Sequence, residues 1–386
     1  MNYGLKSIET RKKKNIISVR PNVDFKTRGD LSIYYTPGVA AVSKKIAENP
    51  KSVFDLTIKR NSVAIVSDGS AVLGLGNIGP GAALPVMEGK ALLFSHFAGI
   101  DAWPICLATQ DTDDIVKTVE NIAPVFGGIN LEDIAAPRCF EIERRLQNLG
   151  IPVMHDDQHG TAAVVLAGLI NALQVVGKKI EDVKIVISGA GAAGTAVAKL
   201  ILGYSLGRTR IIMIDSVGAI CFDRSDLSIP KKELLEMTQN TSCGDLESIT
   251  KEADVFIGVS APRILSAEMV KRMSPRAIVF ALANPIPEID PAAARVAGAE
   301  VVATGRSDYP NQINNVLAFP GIWRGALDVG ATAITQGMIL AAAEAIAKTV
   351  VQPTAEKIVP PVLDRQTAAA VAAAVARVAK SEGVVR

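Results

Sequence analysis

The chain has 386 residues, of which 49% are hydrophobic and 21% charged, with a formal net charge of +2. That length allows two or three domains with sizeable cores. The near-neutral balance excludes an electrostatic draw toward nucleic acid or a membrane surface.

The opening segment, MNYGLKSIETRKKKN, has a basic run from Arg11 to Lys14 and no apolar stretch behind it. It predicts a solvated helix face rather than a signal peptide or a binding arm. From about Lys26 to Leu149, the short apolar runs SVAIVSD, AWPICLA and VFGGINL alternate with the helical patterns KALLFSHFAGI, TDDIVKTVENIAPVF and RCFEIERRLQNLG. Strands alternating with helices predict a parallel sheet with helices on its faces. A long apolar helix over 157–176 follows, closed by Gly177. A second α/β unit then opens with EDVKIVISGAGAAGTAVAKLILGYSLG and continues through the strands RIIMID, ADVFIGVS, AIVFALANP and AEVVATG. After Pro320 the chain is helical and Ala-rich, and Pro353, Pro360 and Pro361 interrupt it before a last helix, RQTAAAVAAAVARVAKSEG. No apolar run reads as a membrane span; the apolar stretch GMILAAAEAIAKTVV carries Glu344 and Lys348 at helical spacing. Cys106, Cys139, Cys221 and Cys243 form no CxxC, which predicts reduced thiols in a cytoplasmic protein. Three histidines are too few and too scattered for a zinc motif.

Two glycine-rich turns compete for a nucleotide. Gly189, Ala190, Gly191, Ala192, Ala193 and Gly194 give G-x-G-x-x-G directly between a strand and a helix. The glycines allow the tight turn, the approach of a pyrophosphate and close helix–strand packing. Asp215 ends the next strand, where a carboxylate binds the adenosine ribose hydroxyls and repels a 2′-phosphate. Gly74, Gly76 and Gly79 match the same pattern, but Pro80-Gly81 and Pro85 are poor for a regular helix. This second match predicts a glycine-rich loop near the active site.

Glu132-Asp133 and Asp156-Asp157 are acid pairs embedded in apolar sequence. Singly, they read equally well as a helix N-terminal acid cluster and an N-cap. Together they place carboxylates where two α/β units meet, which favours Mg²⁺ or Mn²⁺ with hard oxygen ligands. Lys90 stands alone on an apolar helix. It is either a snorkelling surface lysine or a base whose pKa is lowered by desolvation. Tyr35 precedes Thr-Pro-Gly at a helix entrance and reads as a core tyrosine or a proton donor.

YYTPGVA, SDGSAVLGLGNIGP, EGKALLFSHFAGIDAWPICL, INLEDIAAPRCFEIE, HDDQHGTA, SGAGAAG, FALANPIPEI and RSDYPNQINNVLAFPGIWRGALD together resemble malic enzyme in its short bacterial or archaeal form. The resemblance runs in order from about residue 26 to residue 345. It implies an α/β chain with an N-terminal malic-enzyme substrate and metal domain over 1–156. A Rossmann-type NAD(P)-binding domain over 157–345 and a C-terminal helical tail over 346–386 would complete it. It implies oxidative decarboxylation of L-malate to pyruvate and CO₂ with a nicotinamide cofactor and Mg²⁺ or Mn²⁺, in a homodimer or dimer of dimers. It makes Tyr35 the general acid, Lys90 the general base and Glu132, Asp133 and Asp157 the metal ligands, with Asp156 assisting the proton. Asn284, Asn314 and Asn315 fall on asparagines that contact the nicotinamide ribose or the substrate. The sequence departs from the family at Ala71, where larger forms carry an arginine, which leaves Arg138 as a guess for the second malate carboxylate. Met154 replaces an aromatic. Ser216-Val217 stands where NADP-preferring members often have a lysine; with no cation evident for a 2′-phosphate, NAD is favoured and NADP is the alternative. The competing reading is a metal-dependent oxaloacetate decarboxylase or lyase that holds the nucleotide as a helper; a nucleotide-sensing protein without catalysis would have no use for the lysine, the tyrosine and the acids.

Overall fold

The computed structural model describes residues 3–72 and 74–386. Its framework is two parallel sheets. The first contains β1 (Ser62–Ser67), β2 (Asp101–Cys106), β3 (Gly128–Leu131) and β4 (Val153–His155), in the order β2-β1-β3-β4. The second contains β5 (Lys184–Ser188), β6 (Arg210–Ile214), β7 (Val255–Gly258), β8 (Ala277–Ala281) and β9 (Ala299–Thr304), in the order β6-β5-β7-β8-β9. Strands covered on both faces need continuous apolar runs, and β1 and β8 are buried at every position. In each sheet the chain moves outward on one side of its first strand and then returns to the other side. That leaves a crevice at the strands' carboxyl ends.

The helices in chain order are α1 (Tyr3–Lys13), α2 (Arg28–Tyr34), α3 (Gly38–Glu48), α4 (Val53–Leu56), α5 (Gly79–Ala98), α6 (Thr112–Ile122), α7 (Arg138–Leu146) and α8 (Asp156–Val176). There follow α9 (Ala192–Tyr204), α10 (Ile229–Thr238), α11 (Leu246–Thr250), α12 (Ala267–Lys271), α13 (Pro291–Val296), α14 (Phe319–Asp328), α15 (Gln336–Lys348) and α16 (Arg365–Ser381). The largest apolar core joins residues of both sheets to α5, α8, α14, α15 and α16. The C-terminal helix α16 packs on α14 and α15, and a Cβ at Gly325 would meet Ala372 O at 2.4 Å. The chain from Tyr3 to Lys51 contributes no buried residue.

Three expectations fail. The helix expected to suffer from Pro80 and Pro85 runs unbroken from Gly79. Pro80 lies in its first turn, where the missing N–H has no intrahelical partner to lose. Pro85 forfeits one bond, while Ala83, Met87, Ala91 and Phe94 anchor the helix in the core. Second, Arg11 Nη2 donates to the Pro85 carbonyl at 2.9 Å and Arg11 pairs with Glu88, so that residue is more than a solvated face. The helix α8 is long and apolar enough to cross a bilayer by composition, but most of it is buried inside the protein as a core helix, which is why its apolar residues point in all directions. Third, Cys221 and Cys243 are disulfide-bonded rather than reduced, while Cys106 and Cys139 are free. Twenty-two residues of separation hide the pairing in the sequence. The bond from Ala219 N to Gly244 O brings the two segments side by side, with Cα atoms 5.5 Å apart.

Candidate active site

The acid pairs leave adjacent strands of the first sheet at the same edge. Glu132 and Asp133 follow β3, and Asp156 and Asp157 form the first turn of α8 directly after β4. One carboxylate oxygen from each of Glu132, Asp133 and Asp157 lies within 4.8 Å of the others. Asp133 adopts φ 55°, and its N–H donates to Asp157 Oδ2 at 2.8 Å, so the two loops are locked together. A set of hard oxygen donors at this separation fits Mg²⁺ or Mn²⁺. Asp156 is not one of the three. Its Oδ2 accepts from Lys90 Nζ and from Asn315 Nδ2, the latter at 2.7 Å.

Lys90 is 7% exposed and also pairs with Glu132 Oε1 at 2.7 Å. Its ammonium lies 4.2 Å from the centre of the Phe319 ring. Burial by itself would lower its pKa, as expected for a base, but Asp156, Glu132 and Asp157 reverse the effect and raise it. It is therefore neither a surface lysine nor, with its carboxylates bare, a neutral amine. Burial raises Glu132 to about 7, against the pull of Lys90. It raises Asp156 to about 6, again against Lys90. Burial is also the main cause for Asp157, which reaches about 6 with Asp156 adding repulsion.

The second crevice has the form of a dinucleotide cleft. A cavity of about 730 Å³ is lined by Gly189, Ala190, Gly191, Asp215, Lys231 and Ser260, among others. A Cβ at Gly194 would sit 1.8 Å from Gly189 O, whereas one at Gly191 would meet nothing within 4 Å. The third glycine is thus required by packing and the second leaves open space where a pyrophosphate would approach. Ala192 and Ala193 open α9. Asp215 is not the free carboxylate the sequence suggests. Its Oδ1 accepts from Val217 N, Gly218 N and Arg224 Nη1, and its Oδ2 accepts from Lys231 Nζ at 2.6 Å. Those donors overcome burial and hold it well below the usual carboxylate range. Two cations stand where none was evident.

The other glycine-rich turn joins the domains instead. A Cβ at Gly74 would lie 2.7 Å from Asn284 O, so this loop from the first unit seats against the second, next to the Asn284–Pro285 peptide. Asn284 Nδ2 donates to Leu282 O at 3.3 Å. Asn314 caps a short turn through Val316 N and does not share Asn315's bond to Asp156. Arg138 is held by Asp68 Oδ2 at 3.0 Å and by the Gln110 carbonyl. Tyr35 is 66% exposed, so it is not a core residue; the hydrogen bonds of Lys90 go to carboxylates and not to Tyr35.

Several residues of the site went unremarked in the sequence. Asn130 is a polar residue within an apolar strand immediately before the first acid pair, and that position was a usable signal. Glu143 accepts from His155 N at 2.8 Å and Gln158 Nε2 at 3.1 Å, and pairs with His159 at 2.9 Å, bracing the first turn of α8 from α7. Arg224 and Lys231 lie 9 and 16 residues beyond Asp215, at spacings that carry no pattern.

Two parallel sheets, one ending in clustered acids and the other in a glycine turn, define a two-domain oxidoreductase with a dinucleotide domain. Residues 12–147 match the family described as malic enzyme, N-terminal domain, and residues 158–380 match malic enzyme, NAD binding domain. The chain belongs to the malic enzyme family. It is 56% identical over 374 residues to the NAD-dependent malic enzyme of Geobacillus stearothermophilus, covering 96% of this chain and 78% of that one. It is 54% identical over 372 residues to the bifunctional malic/malolactic enzyme of Bacillus subtilis (strain 168), covering 95% and 90%. Relatives named NADP-dependent malic enzyme match as well. Its fold is similar to the crystal structure of malic enzyme from Pyrococcus horikoshii Ot3, with TM-score 0.94 and 48% identity over 99% of this chain and 92% of that one.

Proposed function

We propose that the chain oxidises L-malate and decarboxylates it to pyruvate, with Glu132, Asp133 and Asp157 as the metal ligands and Lys90 as the base. The observation that carries the reading is Lys90, buried against Asp156 and Glu132 beside three converging carboxylate oxygens. When bound, a divalent cation supplies Lewis-acid polarisation of the 2-hydroxyl and of the developing enolate, and the nicotinamide supplies the hydride acceptor. With Glu132 and Asp157 engaged as ligands, two of the three carboxylates that hold Lys90 charged would be neutralised, and burial would then favour the neutral amine that takes the hydroxyl proton. Asp156, already hydrogen-bonded to Lys90 and raised to about 6, is placed to take that proton onward. Asn315 fixes the Asp156 oxygen that does so. Tyr35 returns a proton to C3 of the enol.

Tyr35 belongs to the arm that contributes no buried residue, and the same arm exposes Phe25, Leu31, Ile33 and Val39. Contiguous exposed apolar residues mark an interaction surface. This supports a homodimer in which the arm is covered, so the dimer contact and the placing of the proton donor are linked. We assign the substrate and metal domain to 1–156, the nucleotide domain to 157–345 and the helical tail to 346–386.

The test is NADH absorbance with malate, NAD⁺ and Mn²⁺. A rise supports the oxidative reaction. No rise with NAD⁺ or NADP⁺, together with CO₂ release from oxaloacetate, would leave the lyase reading in its place.

A further inference from the structure

We propose that Glu288 is a positioning residue for hydride transfer: its carboxylate ties the loop after β7 to the loop after β8, and so fixes Asn284 relative to the bound dinucleotide. The inference rests on the reading of the Gly189–Gly194 cleft as the dinucleotide site.

Glu288 is fully buried, and among the described residues it makes no ion pair. A buried acid is costly unless hydrogen bonds satisfy it. Here two backbone amides do so. Glu288 Oε1 accepts from Ser260 N at 3.2 Å, and Oε2 accepts from Ala283 N at 3.0 Å. Burial still raises its pKa against the pull of those amides, so the acid is held at a cost. Room is kept for it as well: a Cβ at Gly258, the last residue of β7, would lie 2.4 Å from Glu288 Cδ.

Both tied loops belong to the nucleotide cleft. Ser260 lines the cavity with Gly189 and Gly191, and its hydroxyl lies 3.1 Å from that of Ser188. A Cβ at Gly189 would meet Val259 O at 2.9 Å and Ser260 Cβ at 3.2 Å, so the glycine turn rests on this loop. On the other side, Ala283 directly precedes Asn284, whose carbonyl seats against the Gly74 loop of the first unit. One carboxylate thus links the wall of the glycine turn to the residue at the junction of the two units. Two N–H donors need two acceptor oxygens, which a carboxylate has and a carboxamide has not. Glutamine at this position would set its NH₂ against one amide and release one loop.

The test is Glu288→Gln in the whole protein, with steady-state kinetics, calorimetric NAD⁺ and Mn²⁺ titrations and a thermal melt. Glutamine has nearly the native volume and keeps one acceptor, so it holds the fold where Glu288→Ala, which strands both amides, does not. Well below its melting midpoint, Glu288→Gln is expected to lower kcat for malate oxidation by roughly tenfold or more and to raise KM for NAD⁺. Its Mn²⁺ affinity without nucleotide is expected to hold, because the clustered acids leave the other sheet. A lower midpoint with unchanged kcat and KM would overturn the assignment and leave Glu288 a structural acid only. A parallel loss of Mn²⁺ affinity would overturn it too, because the disturbance would then reach beyond the two loops. Gly191→Ala separates the two levels. If it leaves NAD⁺ affinity unchanged, the cleft reading falls and the role of Glu288 with it; if it weakens NAD⁺ while Glu288→Gln behaves as the wild type, the cleft stands and only the role of Glu288 falls.

Discussion

Trp323 donates its indole N–H to Asn130 Oδ1 at 3.0 Å, and Asn130 Nδ2 donates in turn to Glu132 Oε2 at 2.8 Å. A helix near the C-terminus thereby orients the first acid after β3. The approach is close enough that a Cβ at Gly128 would lie 2.2 Å from the Trp323 ring. Partners of ligating groups are worth about 10–100-fold in metal affinity. Asn130→Ala is therefore expected to weaken Mn²⁺ binding by that order, and unchanged Mn²⁺ binding would remove it from the support of Glu132. Trp323→Phe strands the buried Asn130 oxygen and is expected to destabilise the fold by about 1–3 kcal/mol, read from denaturant unfolding.

Lys90→Ala is expected to reduce malate oxidation by about 10²–10⁴-fold, the usual worth of a positioned base. NAD⁺ affinity is expected to hold, because Lys90 lies on α5 of the first unit and the glycine turn lies between β5 and α9 of the second. Turnover near the wild-type rate would refute the base assignment; a parallel loss of NAD⁺ binding would show that the lysine is structural.

Metal affinity is expected to rise with pH. Glu132 is raised to about 7 and Asp157 to about 6 in the metal-free protein, chiefly by burial, so each carries a proton over part of the range below neutrality. A cation must displace those protons, and it competes less well as pH falls. Mn²⁺ titrations without nucleotide should tighten from about pH 5 to about pH 8, with proton release on binding greatest near pH 6. The pH profile of Asp157→Ala should flatten over that window, and its Mn²⁺ requirement should rise steeply. A pH-independent affinity would mean either that the acids are ionised throughout that window, against the raised values, or that they lie outside the ligand set.

Much of this was legible because the residues concerned act through local pattern. Eight of the nine strands announce themselves as short apolar runs, while β4, only three residues long and running straight into α8, does not; the glycines at 189, 191 and 194 sit between a strand and a helix as the fingerprint requires. The acid pairs stand out because charge amid apolar sequence demands a partner. What the sequence withheld is long-range. Trp323 reaches Asn130 across 193 positions, Asn315 reaches Asp156 across 159, and Cys221 finds Cys243 through a loop whose course no local rule dictates. The pKa of Lys90 was misjudged for the same reason: desolvation is readable from the apolar helix around it, but the carboxylates that outweigh it arrive from β3 and α8.

The glycine turn offers a separation of stability from binding. Gly194→Ala places a methyl 1.8 Å from Gly189 O, a backbone atom that cannot yield without moving the turn. It is expected to destabilise the β5–α9 junction as well as to weaken nucleotide binding, with a lower unfolding midpoint in the absence of ligand. Gly191→Ala meets nothing within 4 Å and has φ −86°, which an alanine adopts freely. It should melt like the wild type without nucleotide, yet lose the extra stability that NAD⁺ confers on the wild type by mass action. Thermal melts of both variants with and without NAD⁺ distinguish the cases. If Gly191→Ala is stabilised by NAD⁺ as much as the wild type, the pyrophosphate does not approach the backbone there, and Gly191 is only part of a tight turn.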